Sequence, residues 1–428
     1  MTFIFKDYSF DRDTATARFR YGFNGVSYEF EETMQFAQPI GAYDEALLDR
    51  ALFLAFCLVG TSYYKTFAGS DVHFERGSID EWQSMFLAHV YQEGLSQYAF
   101  ENKLTRDDLA HFSTIGDRKQ LAPLPYVGEG VLVLQSGGKD SLLVASSLEK
   151  QEIPYTPWYV SQGASYPRLL DKLKYPLRVA KRRIDREHLS EATAAGARNG
   201  HVPVTYIMMS YAVVQAILSG HSTVLVAIGH EGEEPHEWLG DLPVNHQWSK
   251  TWQAEQLFAE YVTRYISPDI HVGSPLRSLS ELRVAELFVD TAWERFGASF
   301  SSCNEANYRQ GVDNETLQWC GTCPKCANSY LLFAPFVEPH VLHARLGGAL
   351  FEKAALESVF KGLLGIDGVM KPFECVGEVD ELRAAYHAAQ ANGYESLSFA
   401  VPVSAFNRYR TYPSQDKLAH YSDVKGGV

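Results

Sequence analysis

The stretch Gln135-Ser136-Gly137-Gly138-Lys139-Asp140-Ser141 constrains this chain more than any other. It follows Val131-Leu132-Val133-Leu134, which reads as a short buried strand, and precedes 142–150, which reads as the start of a helix. A glycine turn between a strand and a helix is a ready anion site, because backbone N–H groups and the helix dipole both point at the turn. Paired glycines let the backbone curl around a phosphate without Cβ clashes, and the serine hydroxyls and Lys139 add donors and positive charge. The G-x-x-x-x-G-K-[ST] spacing of a Walker A loop is absent. An ordinary strand-to-helix turn is the bland alternative, and the full motif in this setting weighs against it.

Around the turn the chain changes character. Residues 1–35 alternate polar and apolar positions, with Asn24-Gly25 between 17–23 and 28–31, which predicts a β-hairpin. Helical apolar spacing follows over 43–60 and 79–104, the second opened by Ser78 and Glu81 as a capping box. Beyond a proline-containing stretch at 121–130, residues 155–160 and 223–228 read as strands, with a helical pattern at 203–218 before the second. Strands separated by helices predict a parallel sheet. The expected organisation is an α+β N-terminal domain over 1–120, an α/β domain over 121–340, and a C-terminal region over 341–428 packed on that core, with a helical stretch at 382–392.

Six cysteines, four of them bunched between positions 303 and 326 of 428 residues, do not suit a disulfide framework. Cys320, Cys323 and Cys326 stand at C-x2-C-x2-C spacing, and Cys303 completes a set of four. Four thiolates suit a closed, structural zinc site, although four cysteines also hold a four-iron cluster. Zinc is the favoured reading, since nothing else in the chain points to redox chemistry.

The hexapeptide Ser136-Gly137-Gly138-Lys139-Asp140-Ser141 resembles the signature of the PP-loop, or N-type, ATP pyrophosphatases. The resemblance implies an adenine nucleotide alpha hydrolase-like parallel sheet. It also implies that Ser136, Gly137, Gly138, Lys139, Asp140 and Ser141 hold the pyrophosphate of ATP while the α-phosphorus is attacked, with Asp140 near the accompanying Mg2+. Joined to the cysteine set, the turn is similar to the 7-cyano-7-deazaguanine synthases, which adenylate a carboxylate and carry a four-cysteine zinc site. That likeness is confined to the core, because Cys303 stands farther from Cys320 than expected there and residues 1–120 and the tail have no counterpart.

Four further stretches resemble the UDP-N-acetyl-muramoyl-L-alanyl-L-glutamate epimerases, and they fall in all three sections of the chain. They are Gly60-Thr61-Ser62-Tyr63-Tyr64-Lys65, Val244-Asn245-His246-Gln247-Trp248-Ser249-Lys250, Ser301-Ser302-Cys303-Asn304 with Trp319 and the cysteine triplet, and Lys371-Pro372-Phe373-Glu374-Cys375-Val376-Gly377-Glu378. This resemblance implies inversion of the terminal L-glutamate of a nucleotide-linked peptide in peptidoglycan precursor synthesis. ATP would go to AMP and pyrophosphate, with Mg2+ and Zn2+ as further cofactors. Adenylation of a different carboxylate or of a tRNA base is the alternative.

Inversion at carbon needs a base on one face and an acid on the other. Cys375 lies outside the cysteine set and close in sequence to Lys371, and a thiol near a cation serves in either role; a small buried hydrophobe is the alternative. Lys65, His246 and Lys250 fall in the recognised stretches and are candidates for catalysis or substrate contact, whereas Cys57 reads as core. Eight basic residues between Arg168 and Arg186 make either a counter-field for a polyphosphate or a solvated helix face. His230, Glu231, Glu233, Glu234, His236 and Glu237 line a cleft, bind Mg2+ or form a solvated loop. The balance of 38 basic against 52 acidic side chains argues against a large nucleic-acid footprint. The N-terminal residues show no basic segment leading into an apolar one, so a cytoplasmic enzyme without membrane attachment is expected. The sequence does not set the oligomeric state.

Overall fold

The computed structural model describes residues 1–113, 121–163, 165–307 and 315–422. Its strands are β1 (Phe3–Asp11), β2 (Thr16–Phe23), β3 (Phe30–Gln35), β4 (Val72–Phe74), β5 (Val131–Leu134), β6 (Thr156–Ser161), β7 (Arg178–Arg183), β8 (Thr223–Leu225), β9 (Glu237–Leu239), β10 (Leu242–Val244) and β11 (His271–Gly273). Nine of them form one sheet in the order β11-β8-β5-β6-β7-β3-β2-β1-β4, and β9 and β10 pair apart from it.

The run β11-β8-β5-β6-β7 is parallel throughout, as the alternation of strands and helices predicts. β7 is the strand that composition conceals, since Arg178, Lys181, Arg182 and Arg183 make up four of its six residues. It forms because Ala180 and Arg182 turn into the protein while Lys181 and Arg183 stay in solvent. The stretch between Arg168 and Arg186 is therefore a short turn and a strand, and its basic groups are dispersed: Arg168 meets Glu315, Arg178 donates to Pro39 O, and Arg182 is buried against Glu32.

The predicted hairpin at the N-terminus is a three-stranded antiparallel meander, β1-β2-β3. It joins the parallel strands through β3 and β7, where Thr33 stands opposite Arg183 and Gln35 opposite Lys181. Glu32 is wholly buried at this junction and accepts from Arg182 Nε at 2.6 Å, Tyr211 at 2.6 Å and Tyr63 at 2.9 Å. Residues before 113 and after 121 thus share a sheet and an apolar core. The expected end of the first domain, residue 120, lies outside the described residues.

Helix Glu45–Val59 packs on helix Val204–Ser219 over one face of the sheet. The latter begins after Pro203, whose fixed φ suits a helix entry, and ends at Gly220, which takes the left-handed conformation. The helical stretch Glu45–Tyr64 is long and apolar enough to cross a membrane by composition, but 78% of that window is buried inside the fold. The capping box expected at Ser78 and Glu81 lies two residues later, with Asp80 and Gln83 exchanging backbone and side-chain bonds. The other face is covered by helices Lys139–Lys150, Glu281–Phe296, Pro324–Phe333 and Val379–Ala391.

β6 and β7 lie to one side of β5, and β8 and β11 lie to the other. The chain leaving β5 and the chain leaving β8 part in opposite directions, which opens a crevice at the C-terminal ends of these two strands. The glycine turn sits there.

Candidate functional site

Gly137 has φ +79°, and a Cβ on it would stand 2.7 Å from Leu317 Cδ1. A Cβ on Gly138 would come to 3.0 Å from Ser302 Oγ, so Gly137 is favoured by its left-handed conformation and Gly138 by close approach alone. Ser141 Oγ accepts from the Ser136 amide at 3.2 Å and donates to Gly138 O at 3.2 Å, while the Gly138 amide donates to Ser136 Oγ at 3.3 Å. These bonds set the turn. Gly138 caps the helix without a side-chain bond, leaving first-turn amides for an anion. Beside Ser136 lies an open, largely apolar cavity of about 240 Å³ walled by Leu134, Trp158, Val160, Val204 and Met208.

Beneath the turn is a buried charge network. Lys139 reaches Asp140 and, at 2.5 Å, Glu281 Oε2. Glu281 opens the helix Glu281–Phe296, and Ser280 caps it. Lys250 meets Glu231 Oε1 at 3.0 Å, with Glu231 coming from the loop after β8. Burial opposes the charge on Lys250, but Cys375, Glu231 and Asp140 hold its pKa well above the usual lysine range. Glu281 goes the other way: burial, against the pull of Lys139 and with the push of Glu231 and Asp140, raises its carboxyl to about 7. Two ammonium groups thus face three carboxylates, and Glu281 Oε1 has no hydrogen-bond partner.

The segment carrying Cys375 closes over this network. Gln247 donates to Val376 O at 2.8 Å, Lys325 to Cys375 O, Asn304 to Glu374 Oε2 at 3.1 Å, and the Gly377 amide to Asn328 Oδ1 at 2.9 Å. Asn304, Lys325 and Asn328 belong to the cysteine-bearing region. There Cys303, Cys320, Cys323 and Cys326 bring their sulfurs within 4.8 Å of one another. Cys303 stands 3.6 Å from Cys323 and Cys320 3.7 Å from Cys326. A tetrahedral ion with metal–sulfur bonds of about 2.3 Å sets its sulfurs about 3.8 Å apart, so the set fits one zinc ion. A four-iron cluster would stand between its thiolates and needs them farther apart.

On the opposite wall, Lys65 donates to Gly200 O at 3.0 Å, and the ring of His201 lies 4.3 Å from that of His246. His246 Nδ1 meets Gln97 Oε1 at 2.7 Å. Next comes His236, 6.3 Å from His246 and 5.3 Å from Phe373. The backbone of Glu374 and Pro372 lies against its ring nitrogens. Burial drives all three imidazoles to the neutral form, His246 to about 4 and His236 to about 3.

A family model described as the MurL N-terminal domain matches residues 1–274, and one described as the MurL C-terminal domain matches residues 299–409. The chain belongs to the MurL family. It is 32% identical over 386 residues to the UDP-N-acetyl-alpha-D-muramoyl-L-alanyl-L-glutamate epimerase of Xanthomonas oryzae pv. oryzae, covering 90% of this chain and 84% of that protein. Proteins of the same name from Micromonospora sp. and Salinispora tropica are each 33% identical. Those matches cover 89% of this chain in both cases, and 84% and 82% of the relatives.

The crevice draws on both MurL matches. The glycine turn, Lys65, His246 and Lys250 lie in the first, whereas the four cysteines and Cys375 lie in the second. The residues from His230 to Glu237 do not act as one set. Glu231 takes Lys250, Glu233 accepts from the Trp252 amide at 2.7 Å, Glu234 takes Lys371 at 3.0 Å, and His230 stacks on Tyr412 at 3.5 Å. Cys57 is a core residue, as expected. Sequence reasoning missed Glu281 and His201. An acidic residue after a serine at a helix start is ordinary capping, and His201 precedes a proline by two residues in a loop, so neither carried a signal.

Proposed function

We propose that this chain is an ATP-dependent epimerase that inverts the terminal L-glutamate of UDP-N-acetyl-alpha-D-muramoyl-L-alanyl-L-glutamate. The observation that carries the reading is the convergence, in one crevice of a MurL-family chain, of an anion-binding glycine turn with a cysteine beside a buried lysine. The turn receives the β- and γ-phosphates of ATP on its free amides and the Ser136 and Ser141 hydroxyls, and the apolar cavity beside Ser136 takes the adenine. Asp140 and the carboxylates near it suit Mg2+, which when bound neutralises the pyrophosphate. The four cysteines hold zinc as a structural ion.

The chemistry follows from the problem of acidity. A carbanion next to an ionised carboxylate would put two negative charges on adjacent atoms. The carboxylate oxygen therefore attacks the α-phosphorus, pyrophosphate leaves, and the uncharged acyl adenylate makes the α-proton removable. Cys375 takes or returns that proton from one face, next to the Lys250 ammonium. Water then cleaves the acyl–phosphate bond, giving AMP and the D-glutamyl product, and the energy of ATP drives the inversion forward. Such a reaction uses cytoplasmic nucleotide pools.

Incubation in D2O with ATP tests the reading. AMP and pyrophosphate are expected only when the nucleotide dipeptide is present, with solvent deuterium at the glutamate α-carbon of the product. Cys375→Ala should reduce inversion and exchange more than AMP formation. AMP formation that depends instead on ammonia or tRNA points to another member of the pyrophosphatase superfamily, and a D-product free of deuterium argues against solvent-exchanged proton transfer.

A further inference from the structure

The wall of the crevice opposite the glycine turn carries basic side chains that form no ion pair with an acid among the described residues. Lys65, His201 and His246 form a continuous, partly exposed patch, linked by the Lys65 bond to Gly200 O at 3.0 Å and by the 4.3 Å approach of the two rings. The charged groups facing it are Arg182 near Lys65, and Lys250, Lys325, Glu374 and Glu101 near His246. Both carboxylates are engaged elsewhere. Glu101 accepts from Gln97 Nε2 at 2.8 Å, and Glu374 accepts from Asn304 at 3.1 Å and from the Cys375 amide at 3.3 Å. Burial and Arg182 push Lys65 down to about 8, as happens when basic groups are packed together without a counter-ion. His246 faces Glu374, the residue before Cys375, so the patch begins one residue from the proposed point of proton transfer.

The terminal residue of the substrate bears two similar carboxylates. Only adenylation of the one on the α-carbon acidifies the α-proton, so the other must be held away from ATP. We propose that Lys65 and His201, the latter packed on His246, form the subsite for the side-chain carboxylate of the terminal glutamate, and thereby decide which carboxylate is presented to ATP. This assignment rests on the epimerase reading. The Lys65 ammonium and the single N–H of a neutral His201 match a single-charge oxyanion, whereas the N–H of His246 is spent on Gln97 Oε1 and its ring braces His201; the glutamate side chain places its carboxylate two methylenes from the reacting carbon. The diphosphate of the same substrate is also an oxyanion, but it carries more charge and lies at the far end of the molecule.

The test compares the nucleotide dipeptide ending in L-glutamate with its L-glutamine counterpart, which keeps the diphosphate and loses the carboxylate. Binding is measured without ATP on the full-length wild type, Lys65→Met and Lys65→Arg, with thermal unfolding of each as the check on folding. Wild type should prefer the glutamate compound. Lys65→Met should weaken it on the order of 30-fold, the loss of one charged hydrogen bond, and leave the glutamine compound unchanged. Lys65→Arg, which keeps the charge, should restore part of the preference. Equal losses for both compounds would assign the patch to the diphosphate or to structure and overturn the proposal, as would unchanged affinities or a wild type that binds both alike. A wild type that prefers the glutamate compound yet makes no AMP and no D-product would sink the epimerase reading and leave the subsite standing.

Discussion

Glu381→Gln should stabilise this protein, and the gain should grow with pH. Glu381 is 1% exposed on helix Val379–Ala391, and its Oε1 accepts from the Leu282 amide at 2.7 Å, bracing the start of the helix that carries Glu281. Burial, against the pull of the Leu282 amide and with the push of Glu281 and Glu378, raises its carboxyl to about 8 from an ordinary 4.5. The sign follows from proton binding. Between these two values the folded chain holds a proton that the unfolded chain has released, so stability present below 4.5 is lost as pH rises toward 8. At about 1.36 kcal/mol per pH unit, the cost is roughly 3 kcal/mol at pH 7 and under about 1 kcal/mol at pH 5. Glutamine keeps the acceptor for Leu282, leaves no buried cation unpaired, and can turn its amide to the Ser280 hydroxyl. Urea unfolding of both proteins at pH 5, 7 and 8 measures the difference. A gain that is absent, or constant across that range, would mean that the carboxyl is not held protonated and that the argument from burial is wrong here.

The other predictions concern the site and the sheet junction. One zinc per chain is expected on metal analysis, and Cys323→Ser should release it and loosen the Cys303 and Cys375 segments; iron with a visible absorption band would overturn the assignment. Ser136→Ala or Asp140→Ala should abolish AMP formation in a chain that still folds cooperatively, because neither side chain is part of the apolar core, and normal turnover would remove ATP from the glycine turn. Glu32→Gln should cost about 3–5 kcal/mol in unfolding experiments by leaving Arg182 buried without its carboxylate; a loss under about 1 kcal/mol would refute the view that this pair binds β3 to β7.

What could be read from sequence was what local chemistry dictates. Val131–Leu134 announced a strand because a short apolar run suits a buried strand, the glycines after it announced an anion turn because Gly137 takes a left-handed conformation, and the cysteine spacing announced a thiolate set. β7 was hidden because strand patterning assumes one solvated face with ordinary polar groups, and here an arginine points inward. Its inward placement is tolerable only because Glu32, 150 residues earlier, turns in to meet it. Glu281 was hidden for the same reason, since its meaning depends on Lys139 across 142 residues of chain. The candidates Cys375, Lys65 and His246 were picked one by one; only the tertiary structure shows Cys375 beside Lys250 and the other two on a separate wall with His201.

The placement of the cysteine set shows what a structural ion held there would brace. Ser302, next to Cys303, packs on Gly138 of the glycine turn, while Asn304 on the other side of Cys303 bonds Glu374. Lys325, between Cys323 and Cys326, donates to Cys375 O, and Asn328, two residues after Cys326, accepts from Gly377. Residues next to the ligands therefore touch both the turn proposed to hold ATP and the cysteine proposed to move the proton. Neither touch is strong alone, since single hydrogen bonds contribute about 1 kcal/mol each. A zinc ion held by the four cysteines would contribute about 10 kcal/mol or more and would fix Cys303 and the Cys320-to-Cys326 loop as one body. That rigidity is passed to both sides at once. The proposed reaction requires the α-carbon of the adenylated glutamate and the thiol to meet within a fraction of an ångström, and an ion held by the four cysteines would sit on the shortest path joining the two.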